Sequence, residues 1–186
     1  YWLNLKKILL WSTKNVTSTL FSCWGVAAAL KAFYDVDIIF RQDKLSGIYD
    51  IELSSKIDTL TRGFDDVFKA PISRYCDFPL DFISEKTDIN VLASSREVGL
   101  YLGVSGNGKQ VYVSGHPEYD VDTLDQEYHR DLAANKSPNI PINYYPNNDP
   151  NKAPLCSWRG HSSLLFCNWL NYYVYQETPY DPYQSK

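Results

Sequence analysis

A short β-branched and apolar run at residues 16–22 breaks off at Cys23-Trp24-Gly25, and the helix-forming stretch Val26-Ala27-Ala28-Ala29-Leu30-Lys31-Ala32 follows at once. A buried strand, a tight turn and a helix in that order restrict the chain to an architecture in which strand ends feed directly into helices. The remaining pattern agrees. Residues 2–14 space Trp2, Leu5, Ile8, Leu9 and Trp11 as an amphipathic helix, and residues 36–40 and 47–53 predict two further strands. Residues 60–69 are mixed, residues 72–78 and 89–94 are extended, and 98–104 and 110–114 flank Ser105-Gly106-Asn107-Gly108-Lys109 as a hairpin. A helix is expected over 123–134, with Leu124, Tyr128 and Leu132 inward, then a Pro- and Asn-rich loop at 137–157. A last helix is expected over 162–175, and a tail over 179–186. Strands alternating with helices argue an α/β domain with a mainly parallel sheet.

Bulk properties narrow the function classes. The 186 residues suit one domain, and a net charge of −4 without a long basic run argues against nucleic acid as the main partner. No apolar run is long enough to predict a membrane span. Cys23, Cys76, Cys156 and Cys167 match no zinc or redox spacing, which points to free thiols in a reducing cytoplasm and to no metal. The chain opens at Tyr1 and contains no Met, so a C-terminal fragment of a longer protein, forming a single catalytic domain over 1–186, is expected.

Chemistry concentrates at two places. Cys23 sits at a strand-to-helix joint, where a sharp turn exposes a nucleophile, the helix dipole favours negative charge and the Trp24 amide can donate to an oxyanion. His116-Pro117-Glu118 follows the second arm of the hairpin. There the carboxylate of Glu118 can bend back to orient the imidazole, completing nucleophile, base and orienter. A buried cysteine and an incidental surface turn are the bland alternatives, and His129 reads as an exposed helical residue.

The motifs Phe21-Ser22-Cys23-Trp24-Gly25, Lys44-Leu45-Ser46-Gly47, Thr61-Arg62-Gly63-Phe64-Asp65-Asp66, Ser73-Arg74-Tyr75, Gly115-His116-Pro117-Glu118-Tyr119-Asp120 and Asn168-Trp169-Leu170-Asn171-Tyr172-Tyr173-Val174-Tyr175-Gln176 carry a resemblance. In order and spacing, from residue 1 to about 181, they resemble the homoserine O-acyltransferases, also called homoserine transsuccinylases. The resemblance implies a flavodoxin-like, class I glutamine amidotransferase-like domain that lacks the family's N-terminal part. It implies Cys23 as acyl-accepting nucleophile, His116 as base, Glu118 as its partner, and Lys44, Ser73 and Arg130 against the amino-acid substrate. Acetyl-CoA or succinyl-CoA would be a co-substrate, with no tightly bound cofactor, homoserine or serine the acceptor, methionine biosynthesis the setting and a homodimer the assembly. The position separating acetyl from succinyl donors would lie in the N-terminal part. Three rivals stand beside this reading: serine O-acetyl transfer, amidotransferase-type hydrolysis of glutamine, and a binding module built on the aromatic residues 169–175.

Overall fold

The computed structural model describes residues 1–54 and 58–179, so all but the first residue of the expected tail lies outside the described residues. Five helices and six strands follow one another as α1 (Trp2–Asn15), β1 (Thr19–Ser22), α2 (Trp24–Tyr34), β2 (Ile39–Leu53), β3 (Val67–Asp77), α3 (Leu80–Lys86), β4 (Asn90–Ser95), β5 (Gly99–Val104), β6 (Gln110–Val113), α4 (Thr123–Ala133) and α5 (Arg159–Asn168). The strands form one sheet in the order β1-β6-β5-β4-β2-β3.

The α/β class is as expected, but the sheet is mixed rather than mainly parallel. Only β1 and β6 pair in parallel among the described strands, and the other four pairings are antiparallel. The reason is the length of the connections. Residues 96–98 and 105–109 are too short for the crossover a parallel pair requires, so β4, β5 and β6 must run up and down. The expected strands at 36–40 and 47–53 are a single strand, β2, whose pairing with β3 slips between Phe40 and Leu45.

Helices cover both faces of the sheet. In β6, Val111 and Val113 join the cluster containing Ile51, Phe68, Ile72, Leu102 and Leu165, whereas Tyr112 points to the cluster of Leu9, Phe21, Val26, Leu30 and Ile83. That alternation is the period of two of a strand covered on both sides. The run Val26-Ala27-Ala28-Ala29-Leu30 of α2 is fully inside, and small side chains let the helix lie close to the strands. In α1 the inward face is Trp2, Leu5 and Leu9, while Ile8 and Trp11 turn outward. Helix α5 continues as a π-helical segment (Trp169–Tyr175), a widened form that recurs at functional sites. No described helix is long and apolar enough to cross a membrane.

Two consequences position the site. Parallel pairing sets Ser22 beside Val113, so the ends of β1 and β6 emerge together. Although β3 is the far strand in the pairing order, the sheet curls until Pro71 O accepts the N–H of His116 at 2.9 Å. Gly115 permits this approach, since a Cβ there would lie 2.7 Å from Pro71 O and 2.8 Å from the Tyr101 ring.

Candidate active site

Cys23 is the hinge between β1 and α2. Its N–H donates to Val113 O at 2.9 Å, and its backbone is forced to φ 46°, ψ −109°, the left-handed side that a non-glycine residue avoids. Such a conformation costs about 1–3 kcal/mol and persists where the surroundings over-determine it. Here β1 ends and the first turn of α2 begins without a spacer, with Val26 N–H already on Cys23 O at 3.0 Å. The thiol, half-buried, donates to Ser73 O on β3 at 3.6 Å. The amide of Trp24 opens α2, where intrahelical acceptors are absent.

His116 arrives from the end of β6. Its Nδ1 meets Glu118 Oε1 at 2.7 Å, which leaves Nε2 for the other side of the ring, and Cys23 lies close enough to favour the imidazolium. Burial disfavours the imidazolium, yet hydrogen bonds and charge from Cys23 and Glu118 outweigh it and raise the histidine to about 9. Glu118 is half exposed, so its ion pair adds little stability and serves chiefly to fix the ring. The three expected triad residues are thus brought together where β1 and β6 end.

Beside the triad lies a charged cluster centred on Glu127 of α4. Its Oε2 accepts from Lys44 Nζ at 2.7 Å and from the Ser73 hydroxyl, and its Oε1 accepts from the Tyr119 hydroxyl at 2.6 Å. Burial alone would raise this carboxyl, but Lys44, Ser73 and Tyr119 hold it below its ordinary range. Lys44 also lies 3.6 Å from Asp131, which is buried and accepts from Arg130 and Lys136. A cavity of about 110 Å³ opens here, lined by Lys44, Ser46, Tyr75, Tyr128, Asp131 and Lys136. Gly47 lets Ile142 bridge β2, since a Cβ on Gly47 would lie 2.3 Å from Ile142 O. A second, more apolar groove of about 520 Å³ opens beside Trp24.

Lys44 and Ser73 therefore meet within one cluster, whereas the Arg130 guanidinium is largely exposed and turned onto Asp131. Glu127 and Tyr119 are site residues that the sequence pattern does not single out. Helix α4 is expected to turn Leu124, Tyr128 and Leu132 inward, but Leu132 is exposed, and Leu124, Glu127 and Asp131 form the inner face. The usable signal is Glu127 and Asp131 one turn apart on a helix opposite Lys44. His129 is exposed and pairs with Asp125 at 3.4 Å. The aromatic segment 169–175 packs partly on the core through Trp169 and Tyr173 rather than presenting all its rings to solvent. Among the described residues no group of His, Cys, Asp and Glu is placed to hold a metal ion.

A family model for homoserine O-succinyltransferase matches residues 1–180. The chain is 57% identical over 181 residues to a homoserine O-succinyltransferase of Tolumonas auensis, covering 97% of this chain and 58% of the relative. It is 56% identical over 180 residues to a homoserine O-acetyltransferase of Succinatimonas hippei, covering 97% and 60%. The chain thus spans about three fifths of the length of the curated relatives it matches. In structure it resembles a glutamine amidotransferase of Thermotoga maritima, with a TM-score of 0.64 and 16% identity over 90% of this chain and 67% of the other. A glutamine amidotransferase of Methylobacillus flagellatus gives 0.62 at 9% identity over 90% and 68%. These two likenesses are of fold.

Proposed function

This chain belongs to the homoserine O-succinyltransferase family, and on that premise we propose that it carries the catalytic cysteine of an enzyme moving an acetyl or succinyl group from coenzyme A to the hydroxyl of homoserine. The single observation that supports the chemistry most is Cys23 at its strained joint, on a strand paired with the one that delivers a His116 ring held by Glu118.

The reaction has two halves. In the first, the Cys23 sulfur attacks the thioester carbonyl, and the Trp24 amide is positioned to stabilise the oxyanion. The C–S bond to coenzyme A breaks as the C–S bond to Cys23 forms, and the departing thiolate takes its proton from His116. One thioester replaces another of similar energy, so little more than positioning is required. In the second half, the homoserine oxygen attacks the acyl carbonyl, its proton passes to His116 Nε2, and Cys23 leaves as thiolate. That product is an oxygen ester, more stable than the thioester consumed, which carries the reaction forward.

The cluster beside the triad suits a zwitterionic amino acid. Lys44, Arg130 and Lys136 set three cations against the carboxylates of Glu127 and Asp131, and Lys44, Lys136 and Asp131 bring both charge signs to the wall of one small cavity. Arg130, 64% exposed and hydrogen-bonded to Asp131, would exchange that carboxylate for the substrate's to place its fork on an α-carboxylate. The setting proposed is methionine biosynthesis in the cytoplasm, as a homodimer, and the four free cysteines suit a reducing compartment.

Acceptor competition tests the reading. Homoserine is expected to exceed serine by about ten- to a hundredfold in kcat/KM, since the two differ by one methylene. The assay is run with acetyl-CoA and with succinyl-CoA on the full-length protein. Preference for serine would move the reading to serine O-acetyl transfer, and glutamate released from glutamine without acyl transfer would move it to the amidotransferase chemistry.

A further inference from the structure

Tyr119 touches both halves of the site. Its N–H donates to His116 O at 3.1 Å, closing a turn over Pro117 and Glu118 that folds the phenol back onto the imidazole. The two rings stack with centroids 4.1 Å apart and planes 21° from parallel. Beyond the imidazole, the hydroxyl donates to Glu127 Oε1 at 2.6 Å. The backbone is fixed separately: buried Trp158 donates through Nε1 to Tyr119 O at 3.0 Å.

A ring held by one in-plane hydrogen bond, here from Nδ1 to Glu118, can still roll about that bond. A face-on neighbour removes the roll. A carboxylate such as Glu127, gripped at Oε2 by Lys44 and Ser73, can likewise swing its other oxygen unless something holds it. One residue supplies both restraints.

We propose that Tyr119 is a positioning residue with two separable roles: its ring face keeps the His116 imidazole aimed at Cys23, and its hydroxyl sets the Glu127 carboxylate that orders the amino-acid acceptor. The inference rests on the two-step acyl transfer proposed above. The steps separate the roles, because acylation of Cys23 requires His116 but no acceptor, whereas the second transfer requires both.

The test compares Tyr119→Phe with Tyr119→Leu in the full-length protein. Single-turnover mass spectrometry reads acylation of Cys23 by acyl-CoA alone, and steady-state kinetics read KM for homoserine. Tyr119→Phe keeps the stack and loses the hydroxyl, so acylation stays within about twofold while the acceptor KM rises about tenfold or more. Tyr119→Leu loses the stack as well, and acylation slows by about tenfold or more, because small misplacements of a catalytic group are costly. A Phe variant that slows acylation as much as Leu, or leaves the acceptor KM unmoved, overturns the assignment. The Phe variant preserves the packing, so its split is readable even if the Leu variant unfolds. A parent protein that takes no acyl group contradicts the proposed function and this inference together, whereas an acylating parent with no split in its variants contradicts this inference alone.

Discussion

Replacing Cys23 with alanine is expected to lower acyl transfer by about a thousandfold or more, the scale seen when a triad nucleophile is removed. In the proposed reaction the sulfur is the atom to which the acyl group is transferred, so no other group at the strand ends would substitute. Ser73 brings a hydroxyl to the neighbouring cluster, but it donates to Glu127, and Ser73 contacts Cys23 through its carbonyl. Cys23→Ser is expected to remain nearly as inactive. Its oxygen would form an ester about as stable as the product, removing the energy drop that the thioester provides. The fold should survive both changes, because Val113 and Val26 hold residue 23 through its backbone. Turnover measured beside a thermal melt checks this; an alanine variant within tenfold of the parent would remove Cys23 from the chemistry.

His116→Gln should cost a comparable factor, about a thousandfold, since both halves of the reaction pass a proton through Nε2. The histidine also carries a pH signature. Burial opposes its charged form, and contacts with Cys23 and Glu118 reverse that opposition and lift it to about 9. In the proposed reaction, acylation would remove the Cys23 part of this lift. His116 then has burial and Glu118 alone, sheds its proton more readily, and becomes a base when the hydroxyl needs one. Ring resonances followed by NMR should show the His116 titration falling in Cys23→Ala. The sign for stability follows. The folded state keeps a proton that the unfolded chain releases above its ordinary value near 6.5, so this contribution is complete below about pH 6.5 and is lost as pH rises through about 9.

The local parts of this site were legible in the sequence because they are governed by short-range rules. An apolar run ending at Cys23 beside a run of alanines, and a Gly-Asn-Gly turn between two short strands, leave little choice of local structure, and His116-Pro117-Glu118 needs only one turn to close. What escaped depends on distant pairing. The polar stretch Arg41-Gln42-Asp43-Lys44 looks like a loop, yet β2 runs through it, because its slip against β3 lets the strand continue while turning Lys44 toward α4. The curl that returns Ser73 to Cys23 is set by the whole sheet and by the room at Gly115. Lys44, Ser73 and Arg130 were reached through the resemblance rather than from spacing. Glu127 was hidden by the ordinary expectation that a helix buries its apolar side; in α4 a cluster of opposite charges, each partnered, offsets the cost of facing two carboxylates inward.

The most direct measurement is the intact mass of the full-length protein after mixing with acyl-CoA alone, followed by peptide mapping. The expected result is one added acyl group on Cys23, absent in Cys23→Ala and discharged when homoserine is supplied. A parent protein whose mass does not change, yet which makes O-acylhomoserine when both substrates are present, would mean direct transfer without a covalent step and would contradict the role of Cys23 as acyl acceptor.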